Sequence, residues 1–433
     1  MSKADAFLGI DVGTSGIRAI VIDQDKTVLA SSIQSMPPPE QPQENYSEQN
    51  PQIWWQTLQK LLNELNNKFD FKRIKTISID ATSGTVLLIT ADGSPVTSGL
   101  MYNDQRAIRF AEKIKQHAPK DSPCCSPSSG LAKILWLLNE QDSPEQCFIS
   151  HQADWLAGQL SQQFNQTDSN NALKTGYDPV NKKWPSWLEK LGLNNLQLPQ
   201  VSDAGTLLYP LSKKIIQQFG FNQQTQLVSG TTDSTAALLA TGANTIGDAI
   251  TSLGSTLVLK IISDTPIFSS NEGIYSQPYA NHWLVGGASN SGGAVLRHYF
   301  SKKQMTTLEP HINTNKLLNL NYYPLLQAGE RFPINDPKQS PIMEPRPDND
   351  AEFFQALLEG ISDIERQGYN KLQQLGAPSA KRLFSLGGGT VNKAWQVIRN
   401  QKLGIPTQPV LNEHAAYGAA LLAKQGYDSS HPN

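Results

Sequence analysis

Cysteine is scarce: three occur in 433 residues, and two of them, Cys124 and Cys125, are adjacent. No C-x-x-C pair or comparable ligand spacing occurs, so neither a disulfide scaffold nor a structural zinc site is expected. Charge of one sign is also lacking. Lysine and arginine total 36 against 38 acidic residues, a net charge of −2 that offers no general attraction to nucleic acid or an anionic membrane. No apolar run approaches the roughly 20 residues of a membrane span. The opening MSKADAFLGIDVG has no basic segment followed by an apolar one, and its first strand begins within about ten residues. The expectation is a cytoplasmic protein, monomer or homodimer, with a small-molecule substrate and neither a nucleic-acid nor a membrane partner.

What is present is a mixed α/β pattern long enough for two or three domains. Residues 7–10 and 17–22 are short apolar runs on either side of a turn containing Gly13 and Gly16, which reads as a β-hairpin. A strand is expected near 28–32, an amphipathic helix over 51–67 and a strand over 74–79. Residues 85–90 with Ala91-Asp92-Gly93 read as a further hairpin. Helices are expected over 131–139, 151–160 and 212–219. A strand at 227–229 then hands over to a helix at 234–239. The second half opens with the same device: apolar residues 249–253, a Gly254-Ser255 turn, and apolar residues 257–262. A long helix over 351–375, a strand at 383–386, the loop Gly387 to Gly389 and a closing helix near 413–423 complete it. Two halves begun by similar hairpins suggest a duplicated α/β architecture. Its boundary is placed between residues 243 and 244.

Four segments carry residue types suited to chemistry. In the first, Gly13, Thr14 and Ser15 can present backbone N–H groups and hydroxyls to phosphate oxygens, while Asp11 at the strand end can hold Mg²⁺. The alternative is an ordinary tight turn. Gly254, Ser255 and Thr256 repeat the pattern without an acid. Third, Gly388 lies among three glycines that let backbone approach a flat ligand. Asn392 and Trp395 follow one helical turn apart, and Trp395 either packs on adenine or belongs to the core. Fourth, Asp233 stands where a strand meets a helix, and is either a first-turn charge or a base for an attacking hydroxyl.

Taken in order, these segments resemble the FGGY carbohydrate kinase family of the actin, hexokinase and Hsp70 ATPase superfamily. The resemblance runs through FLGIDVGTSGIRAIVID, SGTVLLITADG, MYNDQRA, SGTTDSTAALLATGA, SLGSTLVLK, SNSGGAVLRHYF, SLGGGTVNKAWQ and EHAAYGAALLA. It implies two ribonuclease H-like domains with a central cleft for ATP and sugar. Residues 1–243 would form the sugar and phosphate side and 244–433 the adenosine side, with a last helix able to pack back on the first domain. By the same resemblance Asp233 is the catalytic base, and Asp11, also catalytic, is the acidic residue at the metal and phosphates. Asp11, Ser83, Asp104 and Asp233 meet the acceptor, and Asn290 joins the nucleotide residues.

Many members of the family are longer, carry a tryptophan or similar residue before the aspartate of MYNDQRA, and have bulkier residues at Thr82-Ser83-Gly84. The compact form looks closest to ribulose and xylulose kinases of cyanobacterial and plant type. D-ribulose is therefore the first expected acceptor and D-xylulose the second, with ATP and Mg²⁺ as cofactors. A sugar-independent ATPase related to the chaperone and filament proteins is the competing class.

Overall fold

The computed structural model describes residues 5–140, 147–193 and 196–431. It divides into two compact units, Met1–Ala240 with His414–Asn433 and Thr241–Glu413. This division differs from the expected 243/244 boundary by three residues and places the closing helix in the first unit.

The first unit is built on a six-stranded sheet in the order Leu207–Pro210, Gln226–Thr232, Ile74–Ala81, Ala6–Val12, Gly16–Asp23, Val28–Ser35. The three central strands Gln226–Thr232, Ile74–Ala81 and Ala6–Val12 are parallel; Gly16–Asp23 runs antiparallel to Ala6–Val12, and Val28–Ser35 antiparallel to Gly16–Asp23. Alternation in FLGIDV sorts the side chains by face. Ala6, Leu8, Ile10 and Val12 point into a core with Trp54, Leu58 and Leu61. These come from the helix Pro51–Asn66, started by Pro51 and by the Asn50 side chain accepting from Gln52 N–H. On the opposite face Phe7, Ile20 and Ile22 pack on Ala416, Tyr417 and Ala420 of the closing helix Ala415–Ser430.

Two glycines fix how closely that helix approaches. A Cβ on Gly9 would lie 2.0 Å from Ala416 O and 2.1 Å from Ala420 N, and one on Gly418 would lie 1.9 Å from Ala236 O. Backbone cannot rotate out of the way as a side chain can. The closing helix therefore rests directly on the first strand and on the helix Asp233–Ala240, whose first residue is Asp233. A second, four-stranded sheet in this unit orders Glu48–Gln49, Gly99–Leu100, Val86–Ile89 and Phe148–His151. Helices Ile108–Lys115 and Gly130–Glu140 share a core with it.

The second unit holds a five-stranded sheet in the order Tyr275–Tyr279, His282–Ser289, Leu257–Ser263, Asp248–Leu253, Arg382–Leu386. Its core is filled by Phe353, Phe354, Leu357, Leu358, Ile361 and Ile364 of the helix Asp350–Gln374, together with Trp395 and Ile398 of the helix Lys393–Leu403. No helix among the described residues is long and apolar enough to cross a membrane.

Candidate active site

In the first unit, the strand ends of the sheet bring acids together. Asp11 and Asp80 are register partners on adjacent parallel strands, and Asp80 is itself opposite Thr231. Parallel neighbours in register point to the same face, so the two carboxyl groups lie side by side. Asp80 is fully buried, and no N–H or O–H group of the described residues donates to either of its oxygens. Burial first, and the charges of Asp11 and Asp233 next, hold its carboxyl well above the usual carboxylate range. Burial also raises Asp11, opposed by its contact with Asp80 and by the Arg18 guanidinium.

The turn after Asp11 is closed by Gly13 N–H donating to Gly16 O (3.0 Å) and tied to the next strand by Met36 N–H donating to Ser15 O (2.8 Å). Gly13 and Thr14 are half-buried and Ser15 is exposed. The turn thus keeps surface open to a ligand beside a pair of acids.

Asp233 heads its helix half-buried. Its carboxyl is pushed up to about 6 by burial, against hydrogen bonds from Ser234 N–H and Ser83 N–H and the attraction of the Lys174 ammonium. The Ser234 bond is 2.7 Å. A group near 6 is mostly ionised at neutral pH, yet is far more basic than an exposed aspartate, the property a general base needs. Ser83 sits in a turn that Gly84 closes with φ +83°. Before it, Thr82 Oγ1 donates to Gln152 Oε1 (2.8 Å) and lies 2.6 Å from Thr85 Oγ1.

Asp104 requires a correction. Its side chain is fully buried and accepts from Ser47 N–H (2.7 Å), Arg106 N–H (3.1 Å) and Arg106 Nε (2.9 Å). Arg106 in turn lies over the rings of Tyr46 and Trp136. Both oxygens are engaged by protein donors, so Asp104 ties the backbone at Ser47 to Arg106 and has no oxygen left for a sugar.

In the second unit, Gly254, Ser255 and Thr256 cap the hairpin of strands Asp248–Leu253 and Leu257–Ser263. Gly293 N–H donates to Gly254 O (2.9 Å) and Ala294 N–H to Ser255 O (3.0 Å), which leaves the carbonyls satisfied. Arg297 Nη2 donates to Ser255 Oγ at 2.7 Å. The glycine loop packs against this turn: a Cβ on Gly387 would lie 2.9 Å from Leu253 C and 3.2 Å from Gly254 N, while one on Gly388 would meet nothing within 4 Å. Gly388 is thus the open face of the loop.

Trp395 is the second correction. It is 1 % exposed, its Nε1 donates to Ser362 Oγ (3.1 Å), and a Cβ on Gly389 would strike its ring at 2.5 Å. The indole supports the glycine loop from the core side and presents no face to an adenine. Asn392 caps the same helix by accepting from Trp395 N–H (2.7 Å). Asn290 is engaged with its own loop, donating to Gly329 O (2.9 Å) and accepting from Arg331 Nε (2.6 Å), on the rim of a surface cavity of about 440 Å³.

Family models complete the identification. Residues 6–240 match the N-terminal domain of the FGGY family of carbohydrate kinases, and residues 249–426 match its C-terminal domain. The chain belongs to the FGGY family of carbohydrate kinases. As an FGGY kinase it is a phosphotransferase with a sugar hydroxyl as acceptor. It is 23 % identical to a xylulose kinase of Staphylococcus xylosus, over 97 % of this chain and 90 % of the relative. It is 25 % identical to a gluconokinase of Bacillus subtilis, over 76 % of this chain and 69 % of the relative. Among solved structures, one described as a xyloylose kinase from Brucella ovis superposes with a TM-score of 0.87 at 22 % identity, covering 99 % of this chain and 91 % of that one. At that identity the match shows the fold of this FGGY kinase, two α/β units, and not its sugar.

Asp80, Gln152 and Lys174 were missed by sequence reasoning. For Asp80 a signal existed: ISID at 77–80 repeats the LGID of 8–11, an apolar strand ending in an acid.

Proposed function

We propose that this FGGY kinase transfers the γ-phosphoryl group of ATP to a hydroxyl of a ketopentose, D-ribulose first, with Asp233 as general base. The observation that carries the reading is the setting of Asp233: half-buried at a helix start, held by two backbone N–H groups, with its carboxyl at about 6. In the transfer, Asp233 takes the acceptor proton as the hydroxyl oxygen bonds to phosphorus and the bond to ADP breaks. The two N–H bonds fix the carboxylate so that it need not reorganise. Ser83 and the Lys174 ammonium supply polar groups on the acceptor side. The N–H groups and hydroxyls of Gly13, Thr14 and Ser15, and of Gly254, Ser255 and Thr256, are assigned to phosphate oxygens, with Gly388 toward the adenosine.

Magnesium fits the residues present. The buried Asp80 oxygens, which accept from no donor among the described residues and lie beside half-buried Asp11, are hard ligands suited to a divalent cation. Bound at Asp11, Mg²⁺ would offset the charge of the β- and γ-phosphates.

D-ribulose is placed first on the resemblance of this compact chain to ribulose and xylulose kinases of cyanobacterial and plant type. D-xylulose is the second reading, favoured by the xylulose kinases among relatives that span nearly the whole chain. The test is ADP release coupled to a reporter, with D-ribulose, D-xylulose, D-gluconate and glycerol in turn. ADP release that depends on D-ribulose is expected, whereas consumption of ATP at one rate with or without every acceptor would contradict the reading.

A further inference from the structure

Asp80 is the last residue but one of the strand Ile74–Ala81, between two residues of the apolar core, Ile79 and Ala81, and its own side chain is fully enclosed. Buried carboxyl groups ordinarily accept several hydrogen bonds. Here no backbone N–H, hydroxyl, amide or cationic side chain among the described residues donates to Asp80, and its close polar neighbour is the Asp11 carboxyl. The remaining charges that act on it, Asp233 and Asp168, are of the same sign. Among the described residues no cationic side chain acts on Asp80 itself. Arg18 acts on Asp11 from the neighbouring strand and Lys174 on Asp233.

The spacing suits a small divalent cation. Asp11 and Asp80 are in register on adjacent parallel strands, which lie about 4.8 Å apart, so one carboxylate oxygen from each can reach a single ion with ligand distances of about 2.1 Å. We propose that Asp80 is a second carboxylate of the divalent-cation site, holding the ion together with Asp11 at the phosphate turn. This deepens the kinase reading and rests on it. Asp11, at the mouth, and Asp80, beneath it, divide the work: one faces the phosphates, the other anchors the ion from the protein side.

The test uses Mn²⁺ as probe, followed by electron paramagnetic resonance in the full-length protein with ADP. Asp80→Asn keeps the shape and removes the charge. It is expected to weaken Mn²⁺ binding in the ADP complex by at least about tenfold, while ADP binding without metal is unchanged and the metal-free protein melts no lower than wild type. Mn²⁺ affinity within twofold of wild type would overturn the proposal. Should Asp80→Asn not fold, Asp11→Asn decides it: with Asp80 intact, Mn²⁺ should still bind the protein–ADP complex more tightly than it binds free ADP, and affinity equal to that of free ADP would overturn the assignment. Ketose-dependent ADP release by wild type is measured in parallel. Its absence would sink the acceptor reading without touching the Mn²⁺ result.

Discussion

The two hairpin turns share a design and differ in what lies around them. In the first unit the turn at Gly13 follows Asp11, whose neighbour across the sheet is Asp80. In the second, the turn at Gly254 follows Ser252 and Leu253, and the acid below it is neutralised. Glu365 is fully buried and accepts from Arg399 Nη2 and Nε at 2.7 Å each and from Thr251 at 2.6 Å, while Arg399 reaches Ser385 on the neighbouring strand. That network ties the strand before the Gly254 turn, the strand before the glycine loop and two helices into one frame. Acids left without donors mark a place where charge arrives with a ligand, and acids paired internally mark a scaffold. In the proposed function the first unit holds the ion and the base, and the second seats the nucleotide.

The largest effect that sharpens this contrast is on turnover. Asp233→Ala is expected to lower kcat by roughly 10² to 10⁴, the usual contribution of a positioned base. ATP binding should persist, as measured by nucleotide fluorescence. Retention of a tenth of wild-type turnover would remove Asp233 from the role.

Next comes stability. Arg399→Met leaves Glu365 buried and unpaired, and is expected to cost about 3–5 kcal/mol in urea unfolding. Asp80→Asn, by contrast, should cost nothing in metal-free protein. If both lowered stability equally, the distinction between the two acidic regions would fail.

The smallest effect concerns the glycine loop. A Cβ on Gly388 meets open space, so Gly388→Ala should leave the melting temperature within the small range of a surface change. It should raise KM for ATP several-fold with little change in kcat, as loss of uniform binding does. An unchanged KM would move the adenosine elsewhere.

The sequence carried the sheet order's main cues. LGID followed by a glycine turn and IRAIVID specified the first hairpin, and its repeat at 249–262 specified the second, because period-two apolar patterns and glycine turns are local signals. Strands Tyr275–Tyr279 and His282–Ser289 were not legible. Pro278, Gln277 and the pair Gly286-Gly287 break the alternation, and their pairing with Leu257–Ser263 is non-local. At the site the failures share one cause. The spacing of Asn392 and Trp395 gives a shared helix face but not which way it points, and tertiary packing turned Trp395 inward. Asp104 looked like any motif acid until its donors were seen. Asp80 sat in plain view as ISID, and only the strand register showed that it stands beside Asp11.

The central claim is that Asp233 acts as a base toward a sugar hydroxyl, and the pH dependence of kcat/KM for D-ribulose tests it most directly. Below its pKa the carboxyl is protonated and cannot accept the proton, so the wild-type profile should fall about tenfold per unit below roughly pH 6 and be level above it. Asp233→Asn, carrying no titrating group there, should show a low residual rate without that limb. The same acid limb in Asp233→Asn at near wild-type rates would contradict the account.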